Sequence, residues 1–191
     1  MREDRDTAGT FQKKTFTIRT LPSGIARFVH NIPRLVRAKR ADRVSDQFAE
    51  KIMLAVTAVN ECQYCTRYHT DLARETGIDQ ETIAKILEND VGSAVDDNEQ
   101  PALLFAQRYA ETDENPGRDA LAALQDTYGR KTAADIRAFV RAIYFGNLLG
   151  NTYDGVRFEL SRRSQTVRRS LVSMSHRATR AAERLRERCP I

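Results

Sequence analysis

The residues of this sequence that are best suited to chemistry are two cysteines and a histidine in the segment 60–69. Cys62 and Cys65 form a Cys-x-x-Cys pair, and His69 follows four residues after the second cysteine. The segment contains no Gly, Pro or β-branched run, so it can form a helix on which positions i, i+3 and i+7 share one face. A thiolate, the reactive form of cysteine, is favoured at a helix N-terminus or beside a base. We therefore predict thiol chemistry at this face, with His69 exchanging a proton with Cys65.

A Cys-x-x-Cys pair can be a dithiol–disulfide switch or half of a zinc site. A structural zinc site needs four ligands, and the nearby candidates are Cys62, Cys65, His69 and Glu61. The sequence has no second Cys-x-x-Cys or His-x-x-x-His. We therefore favour the redox switch and expect no bound metal and no bound cofactor.

Glu50 lies twelve residues before Cys62, between apolar positions of the helix that leads to the cysteines. A carboxylate on an apolar face costs free energy to ionise unless it has a partner, and this makes it a candidate base. A surface glutamate paired with Lys51 or with an arginine would fit the same spacing. The spacing alone leaves both interpretations open.

The composition indicates one compact domain with an appendage. The chain has 191 residues, of which 41% are hydrophobic and 30% charged. It has no run of eighteen apolar residues, and its N-terminus lacks the apolar core of a secretory signal. Its three cysteines, two of them in the pair, do not indicate a disulfide framework. We expect a soluble cytoplasmic protein without a membrane partner.

Positive charge is concentrated at the C-terminal end. The net charge is +5, and residues 157–191 contain ten arginines against three glutamates. The rest of the chain therefore gives no electrostatic reason to expect a nucleic-acid partner. Apolar residues of the tail recur at heptad spacing from Leu160 through Leu185, which predicts a helix packed on its own domain or on a second subunit. We divide the chain into a loose N-terminal segment (1–20), a helical domain (21–156) and a basic amphipathic helical tail (157–191).

Apolar residues recur at steps of three and four along most of the chain from Leu21, and no segment has sustained strand alternation. The fold is therefore predicted to be all-α. Ser45 and Asp79 are predicted helix N-caps, and Pro101 fits the first turn of a helix. Further expectations are a break or kink at Pro33, a loop over 89–98, a helix stop at Gly129 and a cap at Thr132.

The combined pattern resembles a known family. Glu50, eleven residues, the segment Cys62–Cys65, three residues and then His69 are similar to the active-site signature of AhpD-like alkylhydroperoxidases, in the carboxymuconolactone decarboxylase superfamily. The segments 50–56 and 145–152 fit the same pattern. The resemblance covers roughly residues 40–156, and the combined spacing is far more specific than the Cys-x-x-Cys alone.

The resemblance implies an all-helical bundle, here with a basic helical extension, that assembles into a homo-oligomer (dimer, trimer or hexamer). It implies a peroxiredoxin-type alkyl hydroperoxide reductase with a small peroxide as substrate. Cys65 would attack the peroxide and Cys62 would resolve the sulfenic acid as a disulfide, while Glu50 and His69 relay protons. The electron donor would be a dithiol, either a lipoyl group or a thioredoxin-like protein.

This chain departs from the family pattern at one position. Peroxidase members usually have a histidine immediately before the second cysteine, where this chain has Tyr64, which we place beside the catalytic groups as a supporting residue. Two alternatives remain at this stage. One is a decarboxylase or isomerase of the same superfamily that acts through Glu50 and His69, and the other is a non-enzymatic helical module with an anion-binding tail.

Overall fold

A computed structural model describes the backbone of residues 11–188 and the side chains of residues 11–165. This part of the chain contains α-helices and no strand. The all-α prediction is confirmed. In chain order the helices are α1 (Leu21–Ala41), α2 (Asp46–Asn60), α3 (Gln63–Glu75), α4 (Gln80–Leu87), α5 (Val91–Ala94), α6 (Gln100–Glu111) and α7 (Arg118–Arg188).

Several helices begin where the sequence predicts a cap. The Ser45 hydroxyl accepts the Phe48 backbone N–H at 3.1 Å, and the Asp79 carboxylate accepts the Thr82 N–H at 2.9 Å. Pro101 lies in the first turn of α6, where its missing N–H leaves no hydrogen bond unmade. Local side-chain chemistry therefore fixes these helix starts.

The structure differs from the sequence prediction at three places. Pro33 does not break the first helix, because α1 continues through it to Ala41 with Asn31 and Ala38 buried on either side. The segment 89–98 is not entirely loop, since it contains the short helix α5. Thr132 lies inside α7 and is not a cap, whereas Gly129 does interrupt the helical geometry, with φ 75° and ψ 158°.

Helix α2 lies at the centre of the hydrophobic core and packs against α3, α4 and α6. Its buried residues follow the helical period, and they meet apolar side chains from α4, α6 and the part of α7 that follows Gly129. Because the core surrounds α2 on several sides, a polar side chain on α2 is removed from water unless it faces a cavity or the surface. The largest fully buried side chains include Ile52, Leu54, Ile83, Ile86, Leu103 and Ile136.

The chain divides into two compact units. The larger unit is Gln12–Thr152, and the other contains α7 from Tyr153 onward. Helix α7 continues to Arg188, so the basic extension predicted from the sequence is helical. The heptad positions after residue 165 lie outside the described side chains, as residues 1–10 lie outside the described backbone. The boundaries at residues 20 and 156 stay predictions. No helix in the described part of the chain is long and apolar enough to cross a membrane.

Candidate active site

A tight connection between α2 and α3 places the cysteines. Helix α2 ends at Asn60, and Glu61 adopts a left-handed conformation with φ 53° while its N–H binds the Thr57 carbonyl at 2.8 Å. Cys62 is already the N-cap of α3. Only two residues therefore separate the helices, and this short connection brings α3 back against α2.

The two cysteines differ in exposure and in their contacts. Cys62 is 0% exposed, and its sulfur accepts the Cys65 backbone N–H at 3.4 Å, as an N-cap side chain does. Cys65 lies in the first turn of α3 and is partly exposed. Cys65 is therefore the more accessible of the two cysteines, and Cys62 is the buried one.

A buried ion-pairing contact joins α2 to α3. The Glu50 Oε2 atom lies 2.7 Å from His69 Nδ1, and both residues are 8% exposed. An ionised carboxylate can only accept, so with Glu50 ionised the Nδ1 atom carries the proton and Nε2 keeps its lone pair. His69 lies one helical turn after Cys65 on α3. The surface interpretation of Glu50, with Lys51 as its partner, is wrong: Lys51 instead pairs with Glu99 at 2.6 Å.

The Cys65 thiol is not acidified in this arrangement, in contrast to the expectation from the sequence. Its hydrogen bond with Cys62 raises its pKa, burial raises it further, and a hydrogen bond with Asn147 acts in the opposite direction. Two sulfurs in contact do not both ionise readily, because the second negative charge forms against the first. The N-cap position and the Cys65 N–H favour negative charge on the Cys62 sulfur. Cys65 therefore needs a base to remove its proton.

We expect Cys62→Ala to make Cys65 more reactive towards alkylation at pH 7, because the substitution removes the largest cause of the raised Cys65 pKa. The measurement is the pH dependence of iodoacetamide alkylation, followed on the Cys65 peptide by mass spectrometry so that Cys189 does not contribute. The midpoint should move to lower pH than in the unsubstituted protein. Identical profiles for the two proteins would contradict this account of the pair.

A buried group of asparagines holds α7 against the cysteine segment. Asn60 Nδ2 donates to Asn147 Oδ1 at 3.3 Å, and Asn147 Nδ2 donates to the Thr57 hydroxyl at 3.2 Å. Asn151 Nδ2 donates to the Asn60 carbonyl at 2.7 Å. Buried amides stabilise a fold only when they are paired, so these bonds fix the position of α7 relative to the end of α2.

A glycine of α7 lies directly on the Cys62 sulfur. A Cβ atom at Gly150 would be 2.7 Å from Cys62 Sγ and 3.9 Å from Cys65 Sγ. The contact between α7 and the buried thiol therefore requires the absence of a side chain at this position. Gly146, one turn earlier, has no such neighbour within 4 Å.

No role for these α7 residues follows from the sequence pattern alone. They do carry a signal, since Asn147, Gly150 and Asn151 stand at i, i+3 and i+4 and share one face of an otherwise apolar helix. Of the four residues proposed for the relay and the thiol pair, Cys62 contacts Cys65 and Glu50 contacts His69. Tyr64 lies close to them but is 44% exposed, and its Cδ2 atom would be 3.9 Å from a Cβ at Gly150. Among the described residues, no three His, Cys, Asp or Glu side chains form a group that could hold a metal ion.

Over the described residues, the fold and the site are those of an all-helical protein with a Cys-x-x-Cys at the start of one helix and a buried Glu–His contact between that helix and the preceding one. Residues 27–108 match the model of the carboxymuconolactone decarboxylase family. The matched segment contains Glu50, Cys62, Cys65 and His69. Neither the curated proteins nor the solved structures include a significant match to the chain.

Proposed function

We propose that the chain is a thiol-dependent peroxidase of AhpD-like type that reduces alkyl hydroperoxides with the Cys62–Cys65 pair. The observation that carries the proposal is the contact of 2.7 Å between the buried Glu50 and His69, one turn from the partly exposed Cys65. This combination offers a partly exposed nucleophile, a buried thiol in contact with it and a base one helical turn along. The match to the family model is compatible with enzymatic activity but does not select this reaction.

In the first step His69 Nε2 accepts the Cys65 proton, and the Glu50 carboxylate stabilises the imidazolium that forms. The Cys65 sulfur then attacks the terminal peroxide oxygen. The S–O bond forms as the O–O bond breaks, so sulfur is oxidised to sulfenic acid and the peroxide is reduced. The departing alkoxide takes the proton back from His69 and leaves as an alcohol.

In the second step the Cys62 thiol attacks the Cys65 sulfenic acid. The S–S bond forms, the S–O bond breaks, and the hydroxyl leaves with the Cys62 proton as water. An external dithiol, a lipoyl group or a thioredoxin-like protein, then reduces the disulfide by thiol exchange and becomes oxidised itself. The pair returns to two thiols, and no bound cofactor takes part.

The proposal includes self-assembly. An apolar row on α1 stays exposed in the single chain: Ile25, Val29, Ile32 and Val36 are 45%, 56%, 41% and 43% exposed. Their spacing of four, three and four residues places them along one side of the helix. Such a contiguous exposed row supports a contact between copies of the chain.

Treatment of the reduced protein with cumene hydroperoxide tests the proposal. The peptide that contains both cysteines should lose two hydrogen atoms through a Cys62–Cys65 disulfide, and dithiothreitol should restore them. Cys65→Ser should abolish peroxide consumption. In the Cys62→Ser variant the reaction should stop at the Cys65 sulfenic acid, which dimedone traps.

The matched control is Cys189→Ser, which should behave as the unsubstituted protein because Cys189 is outside the pair. If the peroxide is not consumed and no disulfide forms, the proposal fails. The decarboxylase or isomerase alternative predicts a different result. In that case the double variant Cys62→Ser, Cys65→Ser would keep the activity and Glu50→Gln would lose it.

A further inference from the structure

A cavity of about 490 Å³ lies in the larger unit between α1, the end of α6 and α7. None of Glu50, Cys62, Cys65 and His69 lines it. Its volume falls within the range of small-molecule sites. Much of its wall comes from α7 residues beyond the segment that matches the family model.

The cavity wall carries an excess of positive charge. Four arginines line it, Arg27, Arg34, Arg137 and Arg141, against the single carboxylate of Glu114. Arg27 already pairs with one oxygen of that carboxylate at 2.7 Å. The other Glu114 oxygen accepts a hydrogen bond from the Tyr109 hydroxyl at 3.2 Å. The other three arginines form no ion pair among the described residues.

Two buried polar atoms of lining residues have no hydrogen-bond partner within the described part of the chain: the Asn31 Oδ1 atom and the Arg137 Nε atom. Asn31 is only 1% exposed, and its Nδ2 atom is held by the Ala138 carbonyl at 2.8 Å, so the side chain cannot turn to satisfy the oxygen. Burial, and then the charges of Arg141 and Arg34, lower the pKa of the Arg137 guanidinium. Buried polar groups are normally paired, so these two atoms mark polar positions beside the cavity that no group in the described part of the chain satisfies.

The remaining wall is aromatic. Phe28 and Phe145 stack with their ring centroids 4.5 Å apart, and Tyr109 meets Tyr144 edge-to-face at 5.6 Å. Aromatic side chains supply apolar contact area with defined geometry. A ligand with an anionic group alone would leave this surface unused.

We propose that the cavity binds a small organic carboxylate with an aromatic or other apolar body, with its carboxylate against Arg137, Arg34 and Arg141 and its body against the aromatic wall. Guanidinium groups suit carboxylates because their fork of N–H donors matches the two oxygens. The site is separate from the cysteine pair, so it adds a ligand-binding function to the proposed redox chemistry. Its test does not depend on whether the cysteines react.

The experiment is titration calorimetry of the full chain with 2-naphthoate, its neutral counterpart 2-naphthamide, and inorganic phosphate. We expect 2-naphthoate to bind about tenfold more tightly than the amide, since hydrogen bonds between charged groups are stronger than those to a neutral amide. Phosphate, which has no apolar body, should bind more weakly than 2-naphthoate. Arg137→Met and Arg34→Met should each weaken 2-naphthoate binding by about tenfold, for the same reason.

The matched control is Arg118→Met, which removes an exposed arginine of α7 that does not line the cavity. It should leave the affinity unchanged. Arg34 is exposed, so Arg34→Met decides the question if Arg137→Met does not fold. Equal affinities for the acid and the amide would overturn the proposal, as would 2-naphthoate binding that neither cavity variant weakens.

Discussion

Replacing Glu50 by glutamine is expected to slow peroxide-driven disulfide formation by about 10²–10⁴-fold, the usual contribution of general acid–base catalysis. Glutamine has the same shape and can still hydrogen-bond to His69 Nδ1, but it carries no charge to stabilise the imidazolium. The Cys65 pKa is raised in this structure, so the reaction depends strongly on a base that removes the proton. The measurement is the rate of Cys62–Cys65 disulfide formation, by rapid alkylation and mass spectrometry.

The control for this substitution is Glu81→Gln. Glu81 is exposed on α4, where it pairs with Lys85, and it takes no part in the site. The Glu81→Gln variant should form the Cys62–Cys65 disulfide at the same rate as the unsubstituted protein. The slow oxidation of Glu50→Gln should also recover partly as the pH rises, because hydroxide then removes the Cys65 proton that His69, without the charge of Glu50, removes slowly. A Glu50→Gln protein that folds and oxidises at the unsubstituted rate would rule out the relay.

Adding a single methyl group at Gly150 is expected to destabilise the protein. The new Cβ of Gly150→Ala would lie 2.7 Å from Cys62 Sγ, so the sulfur or α7 must move. Overpacking of this kind costs typically about 1–3 kcal/mol. A shift of α7 would also disturb the buried bonds of Asn147 and Asn151, so disulfide formation should slow as well. Urea unfolding and the oxidation rate measure the two effects.

Gly146→Ala is the matched control, because Gly146 lies in the same helix and a Cβ there has open space. Alanine is the better helix former by about 1 kcal/mol, so this variant should be as stable as the unsubstituted protein or more so. The difference between the two variants isolates the contact with the sulfur. If Gly150→Ala is as stable as Gly146→Ala, the close packing of α7 on Cys62 is wrong.

The local features of this fold could be predicted because they depend on neighbours in the chain. Ser45 and Asp79 cap helices through bonds to an N–H three residues away, and the position of Cys62 at the start of α3 follows from the same local rule. The predicted break or kink at Pro33 is wrong, because α1 continues through it. Proline disfavours a helix interior, but the buried positions Asn31 and Ala38 tie both halves of α1 to the core and outweigh that preference.

The candidate site was predictable only in part. The spacing of Cys62, Cys65 and His69 along one helix indicates their common face, and the resemblance supported Glu50 as the base. Spacing could not decide whether Glu50 faced His69 or Lys51, because that choice depends on how α2 packs against α3. The arginine-rich cavity gave no signal at all, since its residues come from separate helices and meet only after folding.

The sequence by itself therefore determined the helical class, several helix starts and the common face of the thiol pair and His69, because each depends on contacts within a few residues. Only the tertiary structure decided which thiol is exposed, the direction of the Cys65 pKa and the partner of Glu50. The physical reason is that burial and charge–charge contacts arise between helices that are distant in the chain. Gly150 is the simplest example: a side chain is excluded there by the Cys62 sulfur, which lies almost ninety positions earlier in the sequence.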